Sequence, residues 1–356
     1  MVPVSGDAPG DLLAPPRVRR AWYILCESRE LRRKPLLRTL YGMPIVLFRD
    51  GDGQPGALID RCPHRNVPLS EGQVRDGTLM CAYHGWRFAR DGACVHVPAL
   101  DGQADRASWA AEAFPTRESQ GFVWVWGEAG GEPDAEPWHF ALADATDYLV
   151  VKRAVRAKAT VHAMAENALD VPHTAFLHGG LFRNDGGRQP IQCVVQRWAD
   201  RVECEYVGEA RPEGIVGRIL SPSGGTVVHF DRFFLPSVLQ VEYRIGTENH
   251  VLVDAALTPV DDFDTVLYAV VAVKTRIPGW LLKPFALPVA LRIFGQDAVI
   301  LAKQTERIHR FGEQRFVSTE LDLLGPHILK LLQRAERGDV GDPSAPPRRR
   351  EVTMLV

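Results

Sequence analysis

Cys62-Pro63-His64 and Cys81-Ala82-Tyr83-His84, the second running on into Gly85-Trp86-Arg87-Phe88, are the stretches from which this chain is read. Each pair offers one thiol and one imidazole, first as C-x-H and then as C-x-x-H. A structural zinc site also uses cysteine and histidine, but its pairs usually read C-x-x-C with a separate histidine pair. Here both pairs are mixed, and one has a single-residue spacer.

Two sulfurs on one iron and two imidazoles on the other make the ligand set of a Rieske [2Fe–2S] centre. Neutral histidines in place of anionic thiolates leave such a cluster less negative, so it accepts an electron more readily than an all-thiolate cluster. Of the six cysteines, Cys26, Cys94, Cys193 and Cys204 remain. They show no framework spacing and read as free thiols of a reducing compartment, Cys94 included although it closely follows the second pair.

A length of 356 residues suggests two domains. With 46% hydrophobic and 24% charged residues the composition is that of an ordinary globular protein, and a net charge of -2 gives no reason to expect nucleic acid or an anionic membrane as partner. Val2–Pro16 contains Asp7 and Asp11 and no continuous apolar block, so no secretory pattern is read there. The most apolar segment, Trp280–Ala302, is interrupted by Lys283, Arg292 and Asp297, leaving charge-free stretches far short of the ~20 residues a spanning helix needs. A cytoplasmic protein is expected.

Residues 1–20, rich in Pro and Gly, read as a flexible arm. Residues 21–130 read as a small all-β domain, with strands at Trp22–Leu25, Leu37–Leu40, Pro44–Phe48, Ala57–Arg61, Thr78–Ala82 and Gly121–Trp126. The Gly/Pro/acidic stretch Glu128–Pro137 marks the boundary. Residues 131–337 form a second domain, with a strand at Tyr148–Lys158 and a helix at Thr160–His178. Six further strands follow, at Gln192–Trp198, Val202–Val207, Thr226–Leu235, Val238–Ile245, Val251–Leu257 and Thr265–Lys274, then a helix at Ile293–Phe311. Antiparallel strands flanked by long helices make an α+β layer arrangement. The polar, Pro-rich tail 338–356 reads as flexible.

A second metal site is expected in Glu166-Asn167-Ala168-Leu169-Asp170-Val171-Pro172-His173-Thr174-Ala175-Phe176-Leu177-His178. Histidines five apart diverge by ~140° on a straight helix, so His173 and His178 converge only if the backbone leaves the helix. Pro172 and Gly179-Gly180 supply the means. Two imidazoles and one carboxylate make the facial triad of non-haem Fe(II) oxygenases. The best carboxylate is Asp297, on a stripe with Ile293, Ile300, Leu301 and Gln304, where a positive partner must offset its burial. That partner is either the metal or an arginine, Arg292 or Arg307. Gln304 is a candidate hydrogen-bond donor to this site, Asp170 a candidate acceptor for the non-ligating nitrogen of His173, and Asn167 a candidate lining residue.

Cys62/His64/Cys81/His84 followed by Asn167, Asp170, His173, His178 and Asp297 resembles the catalytic subunits of Rieske non-haem iron oxygenases over about Trp22 to Leu332. The single-subunit length and Phe294-Gly295-Gln296-Asp297-Ala298-Val299-Ile300-Leu301 look most like the vanillate O-demethylase and phthalate oxygenase group, although many relatives carry an acidic residue where Gln296 stands. The resemblance implies a Rieske domain followed by a helix-grip (START-like) catalytic domain with an antiparallel sheet, in a head-to-tail homotrimer. It implies that Asp170 links a cluster histidine, His64 or His84, of one protomer to His173 of the next. It implies electrons from NAD(P)H through a separate flavin reductase, with or without a ferredoxin. The absence of G-x-G-x-x-G after a strand fits an external reductase.

The function so implied is that of a monooxygenase component using O2 to hydroxylate or O/N-demethylate a hydrophobic substrate, aromatic or polycyclic. Phe176, Phe233 and Tyr243 are candidate pocket aromatics, and Trp280–Phe294 a candidate lid or channel wall. The competing readings are a cis-dihydroxylating ring dioxygenase, a Rieske electron carrier, and a hydrophobic-ligand-binding protein stabilised by zinc.

Overall fold

A computed structural model describes residues 14–98, 100–101, 106–178, 189–209, 227–246, 249–276, 279–339 and 341–355. Its contacts divide the chain into two units: Val18–Ala141 with Thr258–Asp261, and Leu142–Leu257 with Asp262–Val356 and Met1–Arg17. Residues 1–13 of the expected arm, Gly179-Gly180 and the Gly-rich residues 221–226 lie outside the described residues.

The first unit is all β. One sheet orders Trp22–Glu27, Phe122–Trp126 and Thr116–Ser119; a second orders Leu36–Leu40, Met43–Arg49, Pro55–Ile59 and Ala113–Phe114. A third, Gln73–Arg75, Thr78–Met80, Arg87–Phe88 and Cys94–His96, carries the second ligand pair. Val46, Phe48, Leu58, Leu79 and Phe88 are fully buried and pack with Cys62, Cys81 and Cys94 in one apolar cluster.

The unit extends past the expected boundary at residue 130, to Ala141. Phe140 is fully buried against Phe122 and Trp124. The Gln120 amide brackets it, donating to its carbonyl at 2.9 Å and accepting from its N–H at 2.8 Å. The polar composition of Glu128–Pro137 marks a loop, and the anchoring aromatic beyond it sets the domain edge.

The second unit is built on an eight-stranded sheet in the order Leu149–Ala157, Asp264–Lys274, Asn249–Asp261, Val238–Ile245, Val227–Phe234, Arg201–Val207, Pro190–Arg197 and Arg348–Leu355. The described pairings run antiparallel. One row of directly opposed residues, Val352, Cys193, Tyr206, His229, Tyr243 and Val251, crosses six strands on one face. Because side chains alternate along a strand, the other face takes the ion pairs of Arg232 with Glu203 and Glu242 and of Arg244 with Glu242. The long helix Gly279–Phe311 packs on the Leu149–Ala157 strand, and helix Val161–Ala168 packs on helix Gly325–Glu336. This is the α+β, helix-grip arrangement expected.

Four local expectations are corrected. The tail 338–356 is not flexible throughout: Arg348–Leu355 forms the edge strand beside Pro190–Arg197, with Met354 2% exposed. Its Val352 and Met354 alternate inward among arginines, a period-2 signal hidden by charged composition. Of the expected arm, Arg17 is tied down, its guanidinium meeting the Asp262 carboxylate at 2.7 and 2.6 Å. The helix expected at Thr160–His178 is two helices, Val161–Ala168 and His173–Leu177. The long helix begins at Gly279 and runs through Pro284 and Pro288. Among the described residues no helix is long and apolar enough to cross a membrane.

Candidate metal centres

The two ligand loops of the first unit are the same turn built twice. Cys62 N–H donates to Val67 O at 2.9 Å while its carbonyl accepts from Asn66 N–H at 2.8 Å. Cys81 N–H donates to Trp86 O at 2.8 Å while its carbonyl accepts from Gly85 N–H at 3.1 Å. The residue that turns the chain has positive φ in each, 61° at Asn66 and 70° at Gly85, where asparagine and glycine are the residues that tolerate it. The cysteines are buried at 2% exposure each, whereas His64 is half-buried and His84 exposed.

The imidazole rings of His64 and His84 lie 4.6 Å apart, and Trp86 stacks on His64 at 4.7 Å with the planes 5° from parallel. Burial pushes the Cys62 thiol up to about 11, and the adjacent Cys81 thiol adds to this against backbone hydrogen bonds from His64 and Arg65. Paired buried thiols become stable as thiolates when a metal supplies the compensating charge. The residues present therefore fit a cluster with sulfur on one side and imidazole on the other. Cys94 stays within the apolar cluster, its thiol directed at His96 O at 3.9 Å.

In the second unit the break between the two short helices does what the sequence requires of it. The first helix ends at Ala168, Pro172 precedes the second, and His173 and His178 stand at the two ends of that turn and a half. Their rings come to 5.2 Å. Asp297, from the long helix, places Oδ1 3.1 Å from His178 Nε2 and 3.6 Å from His173 Nε2. The three ligand atoms lie within 4.8 Å of one another. Neither Arg292 nor Arg307 is the partner of Asp297; Arg307 lies by Glu306 at 3.9 Å.

Each histidine has its other nitrogen occupied. His178 Nδ1 donates to Gln296 Oε1 at 3.0 Å, and His173 Nδ1 donates to the backbone oxygen of Asp170, with Asp170 Oδ2 3.3 Å away. Both Nε2 atoms are thereby turned toward Asp297, whose Oδ1 is buried and makes no hydrogen bond among the described residues. Burial alone would lower His173, but Asp170 and Asp297 outweigh it and hold the imidazole up at about 9. Burial alone would raise Asp297, but the imidazoles of His173 and His178 pull it below the usual carboxylate range. One carboxylate oxygen and two imidazole nitrogens converging from fixed side chains fit a divalent iron with open positions.

The side-chain amide bonded to the trio is that of Gln296, which accepts from His178 Nδ1. Gln304 lines a cavity with Asn167 and Asp170. Asp170 lies in the helix break, where Oδ2 also accepts from His173 N–H at 3.1 Å. Of the expected pocket aromatics, Phe176 is 65% exposed, Phe233 is buried in the core, and Tyr243 stacks on His229 at 3.9 Å.

No motif in the sequence marks His229. It is fully buried between the carboxylates of Glu209, 2.6 Å from Nδ1, and Asp231, 3.1 Å from Nε2. The signal was there: His229 and Asp231 fall on the apolar parity of Val227–Phe234, where a polar residue is costly unless hydrogen-bonded.

A β domain with two Cys/His loops, then an α+β domain with a two-histidine, one-carboxylate trio, is the two-module layout of a Rieske-type oxygenase component. Residues 21–112 match the family model of the Rieske [2Fe–2S] domain, and residues 157–338 that of the vanillate O-demethylase oxygenase C-terminal domain. The chain belongs to the Rieske non-haem iron oxygenases, in the group of the vanillate O-demethylase oxygenase subunits. It is 32% identical over 345 residues to the vanillate O-demethylase oxygenase subunit of Pseudomonas sp. (strain HR199 / DSM 7063), covering 89% of this chain and 94% of that one. It is 30% identical over 302 residues to the dicamba O-demethylase oxygenase component of Stenotrophomonas maltophilia, covering 84% of this chain and 78% of that one. The crystal structure of dicamba monooxygenase bound to dicamba superposes with a TM-score of 0.75 at 23% identity, over 91% of this chain and 99% of that one, and shares the fold.

Proposed function

We propose that this chain is the terminal oxygenase of a Rieske monooxygenase that hydroxylates or O/N-demethylates a hydrophobic, aromatic substrate, with electrons from an external NAD(P)H-dependent reductase or ferredoxin. The observation that carries this reading is the convergence of His173 Nε2, His178 Nε2 and Asp297 Oδ1 within 4.8 Å. In it, Cys62, Cys81, His64 and His84 would hold the [2Fe–2S] cluster, and His173, His178 and Asp297 would hold Fe(II). When bound, these centres supply the electrons and the activation of O2. The protein's own residues orient and exclude. Asp170 and Gln296 fix the tautomers of His173 and His178.

The assembly proposed is a cytoplasmic homotrimer in which His64 or His84 of one protomer meets Asp170 of the next. The exposure of His84, and the 35% exposure of the Asp170 side chain, leave both accessible to such a contact. Insertion of oxygen at a methoxy carbon gives a hemiacetal that collapses to a phenol and formaldehyde.

The test is a metal count and a product. Loaded protein is expected to hold about three irons per chain, the cluster pair plus one. It should also release formaldehyde from a methoxybenzoate with label from O2 entering the product. Colourless, zinc-only protein would sink the reading; two irons without product would make it a carrier, and a cis-diol a dioxygenase.

A further inference from the structure

The second unit contains a cavity of about 720 Å3. Asp170, the residue whose backbone oxygen and carboxylate hold His173, lines it, and so do Glu166, Asn167, Gln304 and Asp322. Glu166 is half-buried there, and its carboxylate forms no hydrogen bond or ion pair among the described residues. Room has been left for it. Helix Gly325–Glu336 begins with a glycine against the Glu166 carboxylate, and a Cβ at Gly325 would overlap Glu166 Oε1. One turn back, His162 Nε2 is bonded to Gly325 O at 2.8 Å, which keeps the two helices in register.

We propose that Glu166 is the proton relay of the oxygenation, taking protons from solvent in this cavity and passing them toward Asp170 and the His173/His178/Asp297 trio. The inference rests on the oxygenase reading above. Oxygenating one C–H bond uses one O2, two electrons and two protons, and yields the alcohol and one water. Electron transfer between iron centres brings no protons, so they need a path of their own. The Glu166 carboxyl gives its proton on toward Asp170 and regains one from the solvent in the cavity, unchanged after each turnover. A cavity of this size, with Glu166, Asn167, Asp170, Gln304 and Asp322 in its lining, has room and polar partners for water.

Burial, then Asp322, then Asp170, raise the Glu166 carboxyl to about 7, so both of its forms coexist near neutrality. The charged and titratable groups lining the cavity around it are His162 and Asp170 from its own segment, Tyr206 from strand Arg201–Val207, Arg315 and Asp322 from the stretch before the last helix, and Lys330 from that helix. The long helix contributes the uncharged Gln304.

The experiment uses dithionite-reduced holoenzyme in single turnover with O2 and a methoxybenzoate, across pH and in H2O and D2O. Wild-type product formation is expected to slow as pH rises through about 7, with a solvent isotope effect. Glu166→Gln, with both metals loaded, should be at least about tenfold slower and lose that inflection, while Glu166→Asp recovers part of the rate. Gly325→Ala, which displaces the carboxylate without changing charge, should act like the glutamine variant. A glutamine variant with wild-type rate and pH profile overturns the relay. Infrared difference spectra of the holoenzyme read Glu166 independently of any substrate. A protonated-carboxyl band that disappears between about pH 6 and 8 and is missing from Glu166→Gln supports the relay, and its absence overturns it whatever becomes of the oxygenase reading.

Discussion

Gln296 and His178 are joined by a 3.0 Å hydrogen bond from the imidazole Nδ1 to the amide Oε1, one residue before Asp297 on the same helix. One helical segment therefore supplies both a candidate ligand and the orienting partner of another. Gln296→Leu removes the acceptor and frees the ring, so Fe(II) affinity should fall by about 10–100-fold, measured by chelator competition. Gln296→Glu keeps an acceptor and should bind at least as tightly as wild type.

Asp297→Ala separates the two centres. The variant is expected to lose the mononuclear iron, dropping from about three irons per chain to about two, while the visible spectrum of the cluster is unchanged. A variant that kept all three would remove Asp297 from the ligand set.

Met354 is the buried anchor of the edge strand, 2% exposed. Met354→Ala should destabilise the second unit by about 2–4 kcal/mol, read from denaturant midpoints, because a buried methionine is replaced by a cavity. Arg349→Ala, on the exposed side of the same strand, should change stability by less than about 0.5 kcal/mol.

Acid should unfold the second unit through Asp264, which is 5% exposed. Burial alone would raise its carboxyl, but Arg156, at 2.7 Å, and Lys158 hold it below the ordinary 3.8. The folded state thus binds a proton less readily than the unfolded one. This contribution is fully present above pH 3.8 and is lost as pH falls below it. Asp264→Asn should lower the melting temperature at pH 7 and flatten its decline below pH 4, the opposite of what an unpaired buried carboxylate would do.

What could be read in advance was local or periodic. Cys62, His64, Cys81 and His84 carry their chemistry in spacings of two and three residues, and Asp297 stands out as a carboxylate on an apolar helical stripe. Gln296 could not be read, because its partner is 118 residues away and glutamine is ordinary on a helix. Glu166 belongs to no spacing rule; its meaning comes from Gly325 on a separate helix. The limit of the first unit depended on Phe140 docking on strands far earlier in the chain, a tertiary contact that overrode a boundary signal in composition.

The position of Arg348–Leu355 sets the order in which the catalytic sheet can be finished. Its neighbour Pro190–Arg197 leaves the ribosome some hundred and fifty residues earlier, with one row of amides and carbonyls waiting for a mate. Throughout that interval the nascent chain offers a sticky border to other copies of itself. Rapid overproduction therefore favours inclusion bodies, while slow synthesis at low temperature, or a holdase that shields the border, favours soluble protein.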